Sequence, residues 1–368
     1  MAENKSYNIK VFDQDGSTAI TNWSAQTVKN TPQFTSKING GFGECVLDLD
    51  LPFDDFGEGN AVNFMNIVDI YAVDSDSPRG TRIYRGFVSQ YEPYIEGRGE
   101  EGVRVSLLGL GSMLTFSYYK NGTSYTVNHT TQDPETIGRA IIDHFNTIYG
   151  GSLLTYDGDS TDPVGTTVNM DFVDQKWFDS LRRVGEVSGT GWWWKIDENG
   201  KYWLKDKPSS VTHKFTIGKD IVMIQAPKDS EKVVNDVQVR WSAGNVDDSD
   251  ATSQQTYGSG SSPTGKRSKI ITDSNLTSSA AGTQRASKEI ADNKDAKVKA
   301  VLTINDNYDL ESIKVGETCK IQNYNKDSTF FDSNMLIVGL NYQGDTTRLE
   351  LEGHPANFGV ELDSFVNG

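Results

Sequence analysis

One hairpin, written twice, constrains this chain more than anything else in it. Thr81 to Gly109, TRIYRGFVSQYEPYIEGRGEEGVRVSLLG, reads as a long strand, a charged glycine-rich turn and a second strand. In its second half Val103, Val105 and Leu107 alternate with Arg104 and Ser106, the two-residue period of a half-buried strand. The pattern returns in Asn334 to Gly353, NMLIVGLNYQGDTTRLELEG, where Leu349 and Leu351 alternate with Arg348, Glu350 and Glu352. Both copies run Gly, apolar, polar and Tyr, then a turn, then Arg-apolar-polar-Leu-x-Gly. Arg104 and Gly109 align with Arg348 and Gly353 without a gap. A lone hairpin is marginal in water, so two copies predict two similar β domains with other material between them.

The segments around the first copy are extended throughout. Tyr7–Phe12, Glu44–Leu51 and Ile67–Val73 read as strands, punctuated by Gly40, Gly41, Gly43 and Pro52. After Tyr119 the period changes. Asp133 is an N-cap and Pro134 a first helical residue; Ile137, Ile141, Phe145 and Ile148 share one helical face, and Gly150-Gly151 stops the helix. A second helix is predicted over Gln175 to Val187, with Trp177, Leu181 and Val184 on one face. Trp192–Asp197 and Lys201–Lys205 pair across Glu198-Asn199-Gly200, a strong hairpin signal. Strands resume at His213–Ile217, Ile221–Ala226 and Val233–Trp241. Asn245–Gly265 is rich in Ser, Gly and Asp and reads as a long loop, Thr277–Lys294 as a weak helix, and Lys297–Ile304 and Glu317–Gln322 as strands before the closing hairpin.

The expected fold is mainly β with an α+β insertion: a β domain over 1–117, a helix-plus-hairpin domain over 118–210, and a second β domain from 211–244 and 297–356. Residues 245–296 form an inserted flexible loop and helix, and 357–368 a C-terminal tail.

Charge limits the partners. The 368 residues carry 35 basic and 51 acidic side chains, a formal charge of −16. That argues against a protein that grips nucleic-acid phosphates, which needs clustered Lys and Arg. From Glu44 to Asp76 there are nine carboxylates and no Lys or Arg. Such a run is an ordinary solvated face or the lining of a passage that repels DNA. The N-terminus has no apolar leader segment, no apolar run approaches a membrane span, and Cys45 and Cys319 make no disulfide framework.

Catalytic and cofactor motifs fail on inspection. Gly97, Gly99 and Gly102 spell G-x-G-x-x-G between two strands, without the helix N-terminus that holds a pyrophosphate. Gly260, Gly265 and Lys266 nearly spell a phosphate loop, but Arg267 stands where Ser or Thr should hold magnesium. His129, His144, His213 and His354 form no metal-binding spacing. Asp157, Asp159 and Asp162 lack the glycine and closing glutamate of a calcium loop, and no G-x-S-x-G elbow occurs. No catalytic residue, cofactor or metal is predicted. In the tryptophan hairpin, Trp192, Trp194 and Ile196 face the preceding helix as core, leaving Trp193 and Trp203 on the other face for a protein contact. Exposed, such rings would instead stack on sugars.

The helix carrying Trp177-Phe178-x-x-Leu181, followed by Gly-Trp-x-Trp-x-Ile-x-x-x-Gly-Lys-x-Trp-Leu at 191–204, resembles the baseplate hub proteins of bacteriophage tails. That family includes the hub portions of tail-associated lysins and of contractile injection-system spikes. Val233–Trp241, Asp273-Ser274 and its alanine-bearing helix, and Leu310 through Glu317 follow in the family's order.

The resemblance implies two tube-forming, barrel-like β domains per chain and a homotrimer that adapts a sixfold tail tube to a threefold tip. Its implied partners are the tube or distal-tail protein, the tape-measure protein and a tip spike or fibre. Phage DNA would pass through without specific binding, with no membrane anchor. The place is the virion tail tip, after synthesis in the host cytoplasm. Many relatives carry a C-terminal enzyme or needle; here the chain reaches Gly368, fifteen residues past Gly353, so an adaptor without catalysis is expected. The channel-lining candidates are Glu44, Asp48, Asp50, Asp54, Asp55 and Glu58; the partner-contact candidates are Trp193, Trp203, Arg98 and Glu100. The competing readings are a carbohydrate-binding or cell-wall-degrading tail protein, and a receptor adhesin that reads with the 245–265 segment.

Overall fold

The computed structural model describes residues 6–353 apart from 25–26, 58–59, 74–79, 96, 98–100, 150, 157–163, 190, 226–230, 259–264, 296–297, 324–325 and 330–334. Seven strands open the chain: β1 (Ser6–Phe12), β2 (Ala19–Trp23), β3 (Gln33–Lys37), β4 (Phe42–Leu49), β5 (Ile67–Val73), β6 (Thr81–Ile95) and β7 (Glu101–Gly109). A mixed stretch follows: β8 (Thr126–Gln132), α1 (Pro134–Tyr149), β9 (Thr155–Tyr156), β10 (Val168–Val173), α2 (Trp177–Val187), β11 (Trp193–Ile196) and β12 (Lys201–Lys205). Beyond it lie β13 (His213–Ile217), β14 (Ile221–Gln225), β15 (Asp236–Trp241), β16 (Gly244–Ser249), α3 (Ala251–Thr256), β17 (Ser268–Thr272) and α4 (Ser279–Asn293). The chain closes with β18 (Val298–Asn305), β19 (Thr318–Asn323), β20 (Lys326–Thr329), β21 (Met335–Tyr342) and β22 (Thr346–Gly353).

One continuous sheet runs β2-β1-β5-β6-β7-β4-β3-β21-β22-β18-β14-β13-β19-β20. Because β19 also pairs back onto β21, the strands β21, β22, β18, β14, β13 and β19 close into a six-stranded barrel. Ranked by chain order, the barrel's strands lie in space as 1-4-5-6-3-2. The first seven strands repeat that order once β2, attached to the outside of β1, is set aside.

The register repeats too. The β6–β7 ladder shifts by one residue between Val88 and Gln90, and the β21–β22 ladder between Ile337 and Gly339, which is the same place in the hairpin. Bulges of this kind are built-in features of a ladder. They also correct one detail of the sequence alignment: with Arg104 on Arg348, Gly339 stands at Gln90 rather than at Gly86. The repeats differ in their first strand, since β1 is antiparallel to β5 whereas β13 is parallel to β19.

The two β parts share one hydrophobic core, with Ile9, Leu47, Val68, Val105, Leu302, Ile321, Ile337 and Leu349 fully buried in it. A second core joins the mixed stretch to β15 and α4. The helices form as read. Asp133 Oδ1 accepts the N–H of Glu135 at 2.9 Å, capping α1, which buries Ile137, Ile141 and Phe145. α2 buries Trp177, Leu181 and Val184.

Two expectations fail here. Sequence order puts the 233–241 strand in the second barrel, yet β15 pairs with β16 and β17 in a separate three-stranded sheet and buries Val237 and Val239 in the second core. Nor is 245–265 a continuous loop. β16 takes up its first part despite a polar sequence, because each residue pairs across to β15, and Asp250 caps α3 by accepting the Ser253 N–H at 2.8 Å. The 357–368 tail lies outside the described residues.

The β11–β12 hairpin is wedged between the repeats. The Asn39 N–H donates to the Trp194 carbonyl at 2.6 Å and the Ile196 N–H to the Gly40 carbonyl at 3.0 Å. On the barrel side Lys195 Nζ donates to the Val315 carbonyl at 2.8 Å, and the Trp193 ring lies where a β-carbon on Gly316 would be. Gly316 also holds φ +86°, a region that disfavours side chains. Gly122 holds φ +59° with open space around it. Gly316→Ala is therefore expected to lose about 2–5 kcal/mol in urea unfolding, and Gly122→Ala about 1–2 kcal/mol. Equal losses would show that the Trp193 packing carries no weight.

Candidate functional surfaces

Alternation along β4 sorts the acidic run. Cys45, Leu47 and Leu49 point into the core, leaving Glu44 exposed and Asp48 half-buried on the opposite face. Asp50 follows, exposed, and Asp54 and Asp55 sit on an exposed single 3₁₀ turn, Phe53–Asp55. Glu58 lies outside the described residues. Strand pairing supplies cations that the local sequence hides. Asp48 sits opposite Arg104 on β7 and accepts its Nε–H at 2.8 Å, and Lys29 Nζ is 3.6 Å from Asp50. The same face continues across the β3–β21 junction, where Lys37 Nζ lies 3.9 Å from Glu350. The face is mixed in charge, and among the described residues Glu44, Asp54 and Asp55 have no ion-pair partner. Such exposed pairs contribute little stability.

The hairpin tryptophans divide differently from expectation. Trp194 is in the second core as read, and Trp192 packs partly against it. Trp193 does leave that face but is not available to a partner: it is 5% exposed, covered by the Gly316 loop of the same chain. Alternation correctly put it opposite Trp194; what it could not show was that the barrel covers that side. Trp203 is half-buried, its Nε1 donating to Asp197 Oδ2 at 2.7 Å and Lys205 Nζ 4.3 Å above its ring. No flat platform of exposed rings remains here for a sugar. Arg98 and Glu100 lie outside the described residues. Exposed apolar side chains that sequence reasoning missed include Ile95 at 73%, Val222 at 62%, Ile270 at 58% and Phe116 at 56%, spread over separate elements.

No protein-family model matches the sequence, and no curated protein sequence matches it. Solved structures do. The tail protein from Neisseria meningitidis MC58 superposes with a TM-score of 0.63 at 10% identity, covering 95% of this chain and 97% of that one. The 43 kDa tail protein of prophage MuSo2 from Shewanella oneidensis does so at 0.60 and 12% identity, over 95% and 98%. A third match is the E. coli c3393 protein, a component of the type VI secretion system described as structurally similar to the T4 bacteriophage tail proteins gp27 and gp5. It aligns at 0.51 and 11% identity, over 90% and 75%. The fold is that of phage tail proteins.

Within this phage-tail fold two histidine clusters come closest to site chemistry, and neither was legible from spacing. The Tyr119 hydroxyl lies 3.0 Å from His129 Nε2 and 3.1 Å from His144 Nδ1, and His129 Nδ1 lies 2.8 Å from Gln132 Oε1. With Gln132 accepting, His129 donates through Nδ1 and accepts the Tyr119 O–H through Nε2, and the Tyr119 oxygen takes the His144 N–H. In the other cluster His213 joins Tyr308 Oη at 2.9 Å and Glu317 Oε2 at 2.7 Å. Neither cluster contains a Ser or Cys nucleophile. No group of three or more His, Cys, Asp or Glu among the described residues is placed to hold a metal ion, and no described helix is long and apolar enough to cross a membrane.

Burial pushes the imidazoles of His129 and His144 below the usual histidine value; the Gln132 hydrogen bond and then Asp171 oppose it at His129, while at His144 the neighbouring His129 adds to it and Asp143 opposes it. The folded chain thus holds both neutral. Their contribution to stability is complete above the unfolded value of about 6.5 and is lost as pH falls through it and toward the lowered folded values. The melting temperature is expected to fall between pH 7.5 and 5.5, and the double variant His129→Gln, His144→Gln to flatten that slope. An unchanged slope would place the sensitivity elsewhere.

Proposed function

We propose that this chain is a structural component of the phage tail baseplate. It would act as a homotrimeric hub that joins a sixfold tube to a threefold tip at the end of the virion tail. One observation carries the reading: a single chain holds two copies of one six-strand arrangement, side by side in one sheet, within a fold that phage tail proteins share over nearly their whole length. Three such chains present six similar units, which is what a threefold body needs to meet a sixfold ring. The two tube-type domains would be the strands through β7 on one side, and β13, β14, β18, β19, β21 and β22 on the other, with the mixed unit and its own core packed against them. The partners would be a tube or distal-tail protein, a tape-measure protein and a tip spike or fibre, with DNA passing through a central channel. The role is mechanical rather than catalytic.

Glu44, Asp54 and Asp55 are the carboxylates best placed to line such a channel, since the neighbouring Asp48 and Asp50 are paired with cations. An anionic wall would let a polyanion slide rather than stick. Sedimentation velocity should give a trimer across a wide concentration range, and negative-stain images a threefold ring with a central opening. A monomer at every concentration would sink the hub reading. A ring whose outer rim carries Glu44, Asp54 and Asp55 would end the channel assignment while leaving the hub.

A further inference from the structure

Asparagine followed by glycine is chemically the weakest kind of peptide link in a folded chain. Asparagine is a thermolabile residue, and a glycine has no β-carbon to shield its backbone nitrogen from the asparagine side chain before it. A bond from that nitrogen to the asparagine Cγ closes a five-membered ring. The sequence holds four such pairs: Asn39-Gly40, Asn121-Gly122, Asn199-Gly200 and Asn367-Gly368, the last outside the described residues. Sequence ranks them alike; the fold separates the other three.

Two of them are held. At 199–200 the nitrogen that would attack is engaged, since the Gly200 N–H donates to the Asp197 carbonyl at 3.0 Å. The Gly200 carbonyl accepts the Thr155 N–H at 2.9 Å, and the Asn199 N–H donates to Asp197 Oδ1 at 2.8 Å. At 39–40 the β11–β12 hairpin grips both sides of the pair. The Asn39 N–H and the Gly40 carbonyl bond to Trp194 and Ile196, and Asn39 Oδ1 accepts the Trp194 N–H at 3.3 Å. Turning either the side chain or the peptide there breaks bonds between the hairpin and the first repeat.

Asn121-Gly122 carries no such restraint. Gly122 and Thr123 make a two-residue turn between Asn121 and Ser124, which exchange backbone bonds at 3.0 and 3.1 Å. With φ +59°, Gly122 takes the first central position, whose N–H has no part in the ladder. Among the described residues neither that N–H nor the Asn121 side-chain amide has a hydrogen-bond partner. Asn121 to Thr126 are exposed, and no atom beyond the chain neighbours lies within 4 Å of where a β-carbon on Gly122 would be.

We propose that Asn121 is a site of spontaneous deamidation, with water as the only co-reactant. The Gly122 nitrogen gives up its proton and bonds to Asn121 Cγ, and Nδ2 leaves with a proton as ammonia, closing a succinimide ring. Water then opens the ring. Cleavage of the new bond at Cγ leaves an aspartyl residue at position 121. Cleavage at the original carbonyl carbon leaves an isoaspartyl residue, with the main chain rerouted through Cγ. Either product puts a new carboxylate next to Lys120, whose Nζ lies 5.8 Å from the centre of the Tyr125 ring. The isoaspartyl form also lengthens the turn and disturbs the Asn121–Ser124 pair. Beyond that pair Tyr118 and Tyr125, both about half exposed, meet with ring centres 6.5 Å apart. The modification therefore changes both the charge and the shape of an exposed aromatic edge of the mixed unit. It needs nothing from the hub reading and stands without it.

Ageing the full chain at mildly alkaline pH tests it, with tandem mass spectrometry and an isoaspartate-specific methyltransferase label as readouts. In the folded chain, position 121 should convert about tenfold faster than positions 39 and 199, the order of one backbone hydrogen bond kept or broken. In the same chain unfolded in urea, the three positions should convert at similar rates, because only the fold distinguishes them. Conversion at 39 or 199 as fast as at 121 in the folded chain overturns the proposal. So does a position 121 that stays intact when folded while the unfolded chain converts.

Discussion

The pairing of β3 with β21 is the contact on which the rest of the molecule depends. It turns two sheets into one and lets their inner faces share a single core. Phe34 and Tyr342, opposite each other in that ladder, stack at 5.0 Å with their planes 17° apart. The Tyr342 hydroxyl donates to Glu311 Oε1 at 2.6 Å and meets the Tyr7 hydroxyl at 3.1 Å, so one residue ties β1, β3 and the loop before β19 together. Buried hydroxyls and carboxylates are costly unless paired. The chain of three is therefore stabilising only while the two sheets stay in contact. Burial, reinforced by the nearby Glu311 carboxylate, pushes the Tyr342 phenol far above its usual range, which keeps it a donor at any physiological pH.

The tryptophan hairpin braces the same junction from the side. Its backbone bonds to the β3–β4 turn while its Lys195 ammonium, held below the usual lysine range by burial, bonds to the barrel. Lys314 reaches back to Glu198 at 3.1 Å. Further along, Asp273, nearly fully buried, is paired with Arg183 of α2 and lies 2.5 Å from Arg285 of α4, and Glu186 is 2.6 Å from the same Arg285. Such a network is strongly destabilising to break at one member but contributes modestly when whole. Its effect is to fix how β15 and α4 sit on the mixed unit, and through the hairpin on both repeats.

How much of this could be read from residues depends on how local the signal was. The hairpin echo at β7 and β22, the helix faces of Ile137 and Trp177, and the Asp133 cap all lie within one element or its flank, and they were legible. β15 was assigned to the wrong sheet because the alternation of Val237 and Val239 states that a strand is half-buried, not which core buries it. The acidic run hid its cations for a related reason. Arg104 lies fifty-six residues from Asp48 in sequence, yet directly opposite it in the sheet. Trp193 was placed on the correct face of its hairpin, but the Gly316 loop that covers that face comes from more than a hundred residues away. In each case the missing information was the choice of neighbour, a property of the whole topology rather than of any window.

The difference between the repeats explains why one closes and the other does not. In the second, Gly218 at φ +83° and Asp220, whose carboxylate accepts the Thr216 N–H at 2.9 Å, let the chain continue from β13 to β14 in the same direction. β13 then lies parallel to β19, and its end meets β14 to complete the ring. In the first, β1 runs the other way and folds back into β2, so it cannot meet β3. β3 keeps a free edge, and β21 fills it. The strand reversal therefore converts what would be two separate barrels into one closed barrel and one open sheet joined to it. Two closed barrels would each have satisfied their edges and could only have packed side by side. The open repeat instead joins the barrel by strand pairing, with a fixed register in place of a slippery face.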